Sequence, residues 1–327
     1  MDPHSVIEYA KEVYIPGDVV TGSREERGVV ERLRQLFEDF ALNVALEPVE
    51  VVEWGDLGSF VESCGVRCPA SLHPYALSFD IEAPAQYVDD PRSVVAGRAR
   101  ITPGAVLILN APEDPDDYPV ISWLAAHRGA SGVVYVERGE VLRRIVMLRD
   151  LAPCTGRSEP PPIPSLSVRR GCGEVLISKV RNGCRVRVVA KGFMRGSTGH
   201  NVVVELGGSK EDCMVYATAH HDKWLGGFSD NTLGVGILIA LARQLRSKSL
   251  RCSVRLVSFT AEEGGEPSFS PFYWIYGSRV HVKRRWGELD NLVLVVNSDV
   301  VFSRPLTLSG SGFEVHACLL YTSDAAD

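Results

Sequence analysis

The chain has 327 residues, 45% hydrophobic and 23% charged, with a formal net charge of −6. This is the composition of a folded globular protein rather than a fibrous or disordered one, and at roughly 100–200 residues per domain the length predicts two domains. An acidic balance with only short basic runs excludes the electrostatic footprint of a nucleic-acid binder; "VKRRW" at 282–286 is read as a solvated face. No stretch approaches the roughly 18 uninterrupted apolar residues of a membrane span.

The N-terminus, "MDPHSVIEYAKEVYIPGD", has neither the basic nor the apolar region of a secretory leader. A cytoplasmic location is therefore expected, and the eight cysteines are read as mostly buried free thiols. "CGVRC" at 64–68 has no partner pair and makes a poor metal site. Pairing of Cys64 with Cys68 is the one disulfide this reading leaves open.

In chain order, residues 24–41 place Val29, Val30, Leu33, Leu36, Phe37 and Phe40 on one face of an amphipathic helix. Ser23 is its expected N-cap, with Glu26 completing a capping box. The strand-like "NVALEPVEVVEW" follows. Residues 57–189 then hold most of the 19 prolines, between short apolar runs at 105–110, 132–137, 174–178 and 185–190, with a helix at 120–129. This predicts a small β-rich domain with one or two helices.

The last third changes character. Strands are expected at 202–206, 213–219, 253–261 and 291–298, with a helix at 232–247. Apolar runs alternating with a helix predict a mixed, largely parallel sheet flanked by helices, an α/β fold.

Three of these strands run into polar residues at their carboxyl ends, where open α/β sheets bind ligands. The strand through 219 meets His220 and Asp222, the next meets Glu262 and Glu263, and the last meets Asp299. His220 and Asp222, two apart, share a side of extended chain, while His221 faces the other way and is read as packed or solvent-facing. Asp230 opens the helix at 232–247, as a cap, a ligand or both. So many carboxylates repel one another unless a cation sits among them. Imidazole with carboxylates suits zinc, with manganese or cobalt as alternatives, and a shared carboxylate suits a two-metal hydrolase. Asp222 could orient His220 through its other ring nitrogen. The pair Glu262–Glu263 offers one ligand and one base.

The segments "HHD", "SDNTLGVG", "FTAEEGG", "GS" at 277–278 and "NSD" resemble the metal motifs of the M28 zinc peptidases. That family includes aminopeptidases, glutamate carboxypeptidase-like enzymes and glutaminyl cyclases. The resemblance implies two zinc ions. His220 and Asp299 would hold one, Asp230 would bridge both, and Glu263 would hold the second. Glu262 would be the general base, with Asp222 orienting His220. The implied activity is exopeptidase cleavage of short peptides, first as an aminopeptidase. A carboxypeptidase or glutaminyl cyclase on the same scaffold is the alternative. A non-catalytic binding protein like the transferrin receptors is disfavoured, because the metal residues are present. The expected partner is a peptide substrate, with no nucleic acid and no membrane. The aromatic segment "EPSFSPFYWIY" at 266–276 is read as added core, an oligomer contact or a pocket wall.

The middle segment resembles a protease-associated (PA) domain through "GAVLILN", "AAHRGASGVVYVE" and "PPIPSLSVRRGCGEVL". The expected division is 1–56 as the first part of the peptidase domain, 57–190 as the PA-like insert and 191–317 as an incomplete catalytic domain. The family's late histidine has no clear counterpart; His316 is a weak candidate. Residues 318–327, "CLLYTSDAAD", are read as a non-native tail on a truncated gene product, so tight binding of at most one zinc and poor hydrolysis of aminoacyl substrates are expected of this chain.

Overall fold

The computed structural model describes residues 3–150, 158–270 and 273–300. His316, the tail at 318–327, Cys154 and Cys318 lie outside the described residues. The strands are β1 (Val44–Asp56), β2 (Phe60–Ser63), β3 (Val66–Leu72), β4 (Phe79–Ala83), β5 (Ala85–Val88), β6 (Val106–Asn110), β7 (Gly132–Val136), β8 (Arg149–Asp150), β9 (Ser158–Glu159), β10 (Ser165–Val168), β11 (Val186–Ala190), β12 (Gly192–Leu206), β13 (Gly208–His220), β14 (Leu250–Phe259) and β15 (Leu292–Asn297). They form a five-stranded sheet in the order β1-β12-β14-β13-β15, an eight-stranded sheet in the order β4-β11-β2-β3-β10-β7-β6-β5, and the small pair β8-β9.

The five-stranded sheet is not largely parallel, as the apolar runs suggested. β1 and β12 join it antiparallel, and only the β14-β13 and β13-β15 pairings are parallel. The reason is a long-range pairing. β1 is a 13-residue strand that pairs along its length with β12 before the chain reaches the helix-linked strands.

Helices Pro3–Val13, Arg24–Asp39 and Leu233–Leu245 cover this sheet. Leu33, Phe37, Leu238 and Ile239 are almost wholly buried in its core, each worth about 1.5–3 kcal/mol relative to exposure. Gly236 is required where the helices cross: a Cβ there would sit 2.6 Å from the Val6 carbonyl oxygen. Ser23 caps the second helix, its Oγ accepting the Glu26 N–H at 3.0 Å. The Glu26 carboxylate does not return to Ser23. It is buried and accepts instead from the N–H groups of Gly22 and His200.

In the eight-stranded sheet, β5, β6, β7 and β10 run parallel and the remaining pairings are antiparallel. Residues 174–178, a short apolar run in the segment read as β-rich with one or two helices, lie within helix Arg170–Arg181. Its buried residues Gly173, Leu176, Ile177 and Val180 follow the i, i+3, i+4, i+7 spacing of a helix, which a five-residue window hid.

The cysteine reading also fails. Disulfides join Cys64 to Cys184, Cys68 to Cys172 and Cys213 to Cys252. Cys64 and Cys68, on the β2–β3 hairpin, do not pair with each other. Their partners flank helix Arg170–Arg181, Cys172 in its first turn and Cys184 just beyond its end. Sequence separations of 120 and 104 put these pairings beyond any spacing rule. Disulfides belong to oxidising compartments and to the interior of some hyperthermophiles, so the cysteines no longer argue for a cytoplasmic location. No helix among the described residues is long and apolar enough to cross a membrane.

Candidate active site

β13 ends at His220, which is 3% exposed. Its Nε2 lies 3.2 Å from Asp230 Oδ1 and 3.2 Å from Asp299 Oδ1, with Glu262 Oε2 at 3.9 Å. Donor atoms of His220, Asp230 and Asp299 all fall within 4.8 Å of one another. One imidazole and two carboxylates converging in this way fit a divalent cation such as zinc.

The His220 Nδ1 faces the main-chain carbonyl of Asp222 at 2.9 Å, and the Asp222 carboxylate is 3.5 Å away. Asp222 is buried, and its two oxygens accept the N–H groups of Glu262 at 3.2 Å and Glu263 at 3.0 Å. It thereby ties the end of β13 to the turn after β14. That turn starts at Ala261, which is fully buried at φ +52°, a conformation L residues seldom adopt. The carbonyls of Ala261 and Glu262 accept from Tyr276 at 2.7 Å and Ile275 at 2.8 Å. Gly277 is needed for this closure, since a Cβ there would lie 1.9 Å from the Thr260 carbonyl oxygen. Buried Asn201 bridges the two segments, donating to the Gly277 carbonyl and accepting the Thr260 N–H.

Asp230 precedes helix Leu233–Leu245 in non-helical backbone, and its peptide bond to Asn231 is cis. Asn231 is fully buried and donates to the Ser298 carbonyl at 2.8 Å, next to Asp299. Gly234 makes room for this link, because a Cβ there would meet Asn231 Oδ1 at 2.3 Å. Glu263 stands outside the three-residue cluster; its Oε2 accepts from the Trp224 indole at 2.9 Å. His221 is buried and packed, between Ser258 Oγ at 2.9 Å and Glu26 Oε1 at 3.3 Å. The basic run at 282–286 is partly structural, since Arg285 pairs with Glu47.

The electrostatics follow from burial among like charges. Burial would lower the His220 pKa, yet hydrogen bonding to Asp222, Asp230 and Asp299 holds it well above the ordinary value. Burial, with Asp222, Asp299 and Asp230 nearby, pushes the Glu262 carboxyl up to about 7 against the opposing effect of His220. Burial, followed by the charge of Asp230, raises Glu263 well above the carboxylate range. Asp299 is lowered by its hydrogen bond to His220.

A cleft of about 410 Å³ is lined by Asp230, Glu262 and Glu263 together with Asp116 and Arg144. A larger concavity, about 800 Å³, lies at the ends of β5, β6 and β7 and holds none of the expected site residues. Sequence reasoning missed Asn231, Asn201 and Trp224. Asn231 sits beside Asp230 in "SDN", and a polar residue opening an apolar helix was the available signal.

Residues 201–323 match the model of peptidase family M28, so the resemblance read from the motifs is borne out over that part of the chain. The structure is similar to a zinc aminopeptidase from Bacillus subtilis, with TM-score 0.72 and 17% identity over 99% of this chain and 77% of that one. It is also similar to a peptidase M28 precursor from Shewanella amazonensis SB2B (TM-score 0.69, 18% identity, 91% and 70% of the chains). An aminopeptidase from Aneurinibacillus sp. strain AM-1 is a third (TM-score 0.62, 18% identity, 93% and 71%). At these identities the likeness is one of fold. The chain matches none of the curated proteins by sequence.

Proposed function

We propose, from the M28 peptidase match over residues 201–323, that this chain is a zinc-dependent exopeptidase and an aminopeptidase on short peptides. The observation that carries the reading is His220 Nε2 at 3.2 Å from both Asp230 and Asp299, with Glu262 alongside. His220, Asp230 and Asp299 would hold one zinc, and Asp230 with Glu263 a second. Residues 57–190 would form a PA-like domain inserted into the peptidase domain. Zinc, when bound, supplies Lewis acidity and lowers the pKa of a bound water toward neutrality.

The remaining chemistry belongs to side chains of this protein. Glu262, whose Oε2 lies 3.9 Å from His220 Nε2 and which lines the cleft, acts as general base. Its carboxylate takes a proton from the attacking water and returns it to the leaving amine, a role worth roughly 10²–10⁴-fold in rate. Asp222 orients His220 and fixes the main chain of Glu262 and Glu263. Trp224 holds the Glu263 carboxylate in place.

Metal analysis of the full chain, with an assay on leucine p-nitroanilide, tests the reading. Bound zinc that is lost in Asp299→Ala, together with zinc-dependent release of the anilide, is expected. A chain that takes up no zinc and releases no anilide sinks it.

A further inference from the structure

The cleft is built from two sources. The metal-ligand side comes from the five-stranded sheet, whereas Asp116, Ile145 and Val146 come from segments around the eight-stranded sheet. Trp224, Tyr273 and Trp274 complete the lining, and Trp224 and Tyr273 also pack on the core of the eight-stranded sheet. Aliphatic and aromatic side chains thus lie among the charged groups of the lining. Asp116 stands before helix Asp117–His127, exposed, and its side chain makes no capping hydrogen bond. No ion pair engages its carboxylate among the described residues. The cation lining the same cleft, Arg144, is committed elsewhere: it is 9% exposed and bonded to Asp18, Asp56 and the Leu72 carbonyl.

We infer that this cleft selects substrates whose first residue carries a long cationic side chain, lysine or arginine, with Asp116 as the residue that reads the charge. The inference rests on the peptidase reading above and deepens it. A methylene stem fits against Ile145 and Val146, the cationic head is attracted to aromatic faces, and Asp116 supplies the opposite charge. A glutamate side chain meets a carboxylate and, among the described residues that line the cleft, no available cation. A leucine side chain fills the apolar part and leaves Asp116 in water.

The test compares p-nitroanilides of lysine, arginine, leucine and glutamate on the zinc-loaded full chain and its Asp116→Asn and Asp116→Lys variants. In parallel, calorimetry measures L-lysinamide and L-norleucinamide binding to the metal-free chain, and thermal unfolding checks that the variants are folded. A partly exposed ion pair and a cation–aromatic contact together predict a lysine-over-norleucine binding preference of about tenfold. Asp116→Asn should remove the ion pair's share of that preference, lowering it and the lysine-to-leucine ratio of kcat/KM about threefold, while the aromatic contact's share remains. Asp116→Lys should lower the ratio further and raise the glutamate rate. Ratios that are equal in wild type and both variants, in binding and in turnover, overturn the inference and leave the peptidase reading standing. An Asp116-dependent preference for lysinamide without hydrolysis of any anilide supports the inference as a binding site and overturns the peptidase reading.

Discussion

Asn231 donates its amide to the main-chain carbonyl of Ser298 at 2.8 Å. Two candidate ligands on different elements, Asp230 and Asp299, are each one residue from this bond. Their relative position therefore depends on a side chain that touches neither carboxylate. Outer partners of metal ligands typically change affinity by about 10–100-fold. Asn231→Ala should weaken zinc binding by that order, as read by competition with a chelating dye. Unchanged affinity would show that the two ligands are positioned independently.

Glu262→Gln separates base from ligand. The variant should keep its zinc and lose about 10²–10⁴-fold in turnover. Loss of metal together with activity, measured on one preparation, would mean that Glu262 is a ligand.

Arg144 is a structural test of the contact between the two sheets' segments. It binds Asp18 at 2.9 Å and Asp56 at 3.3 Å, donates to Leu72 O at 2.7 Å, and lies 5.2 Å from the Trp54 ring centre. Removing one partner of a buried ion pair leaves uncompensated charge, at a cost of about 3–5 kcal/mol. Arg144→Met should therefore lower the urea midpoint strongly, and a change within 0.5 kcal/mol, roughly that of a surface substitution, would contradict this.

Acid stability should depend on Glu47. Burial pushes its carboxyl up, but His281 and Arg285 override this and bring it from 4.5 to about 2. A carboxylate with a depressed folded pKa stabilises above its unfolded value, and that contribution is lost as pH falls toward the folded value. Unfolding free energy should thus decline between about pH 4.5 and 2, and Glu47→Gln should flatten that slope. Parallel profiles for the two proteins would exclude the linkage.

The candidate site was more legible in the sequence than the sheet that carries it. His220, Glu262, Glu263 and Asp299 could be picked out because each follows an apolar run, and Asp230 because it precedes one, a local pattern in each case. Asn231 and Asn201 could not be read in the same way, because their roles depend on the close approach of segments far apart in the chain. The same limit explains the errors in the fold. The direction of β1 is set by its pairing with β12, some 150 residues away, and nothing within β1 encodes it. The apolar run at 174–178 hid its helix for the opposite reason: only a wider window reveals the helical period.

The two disulfides that flank helix Arg170–Arg181 also determine what a protease can do. Cys64–Cys184 encloses Cys68–Cys172 in sequence. A single peptide-bond cut anywhere between Cys68 and Cys172 leaves both halves covalently joined twice. A nicked molecule should migrate as one species on a denaturing gel without thiol and separate into two fragments only after reduction. Backbone integrity and molecular integrity are separate properties over more than a hundred residues of this protein.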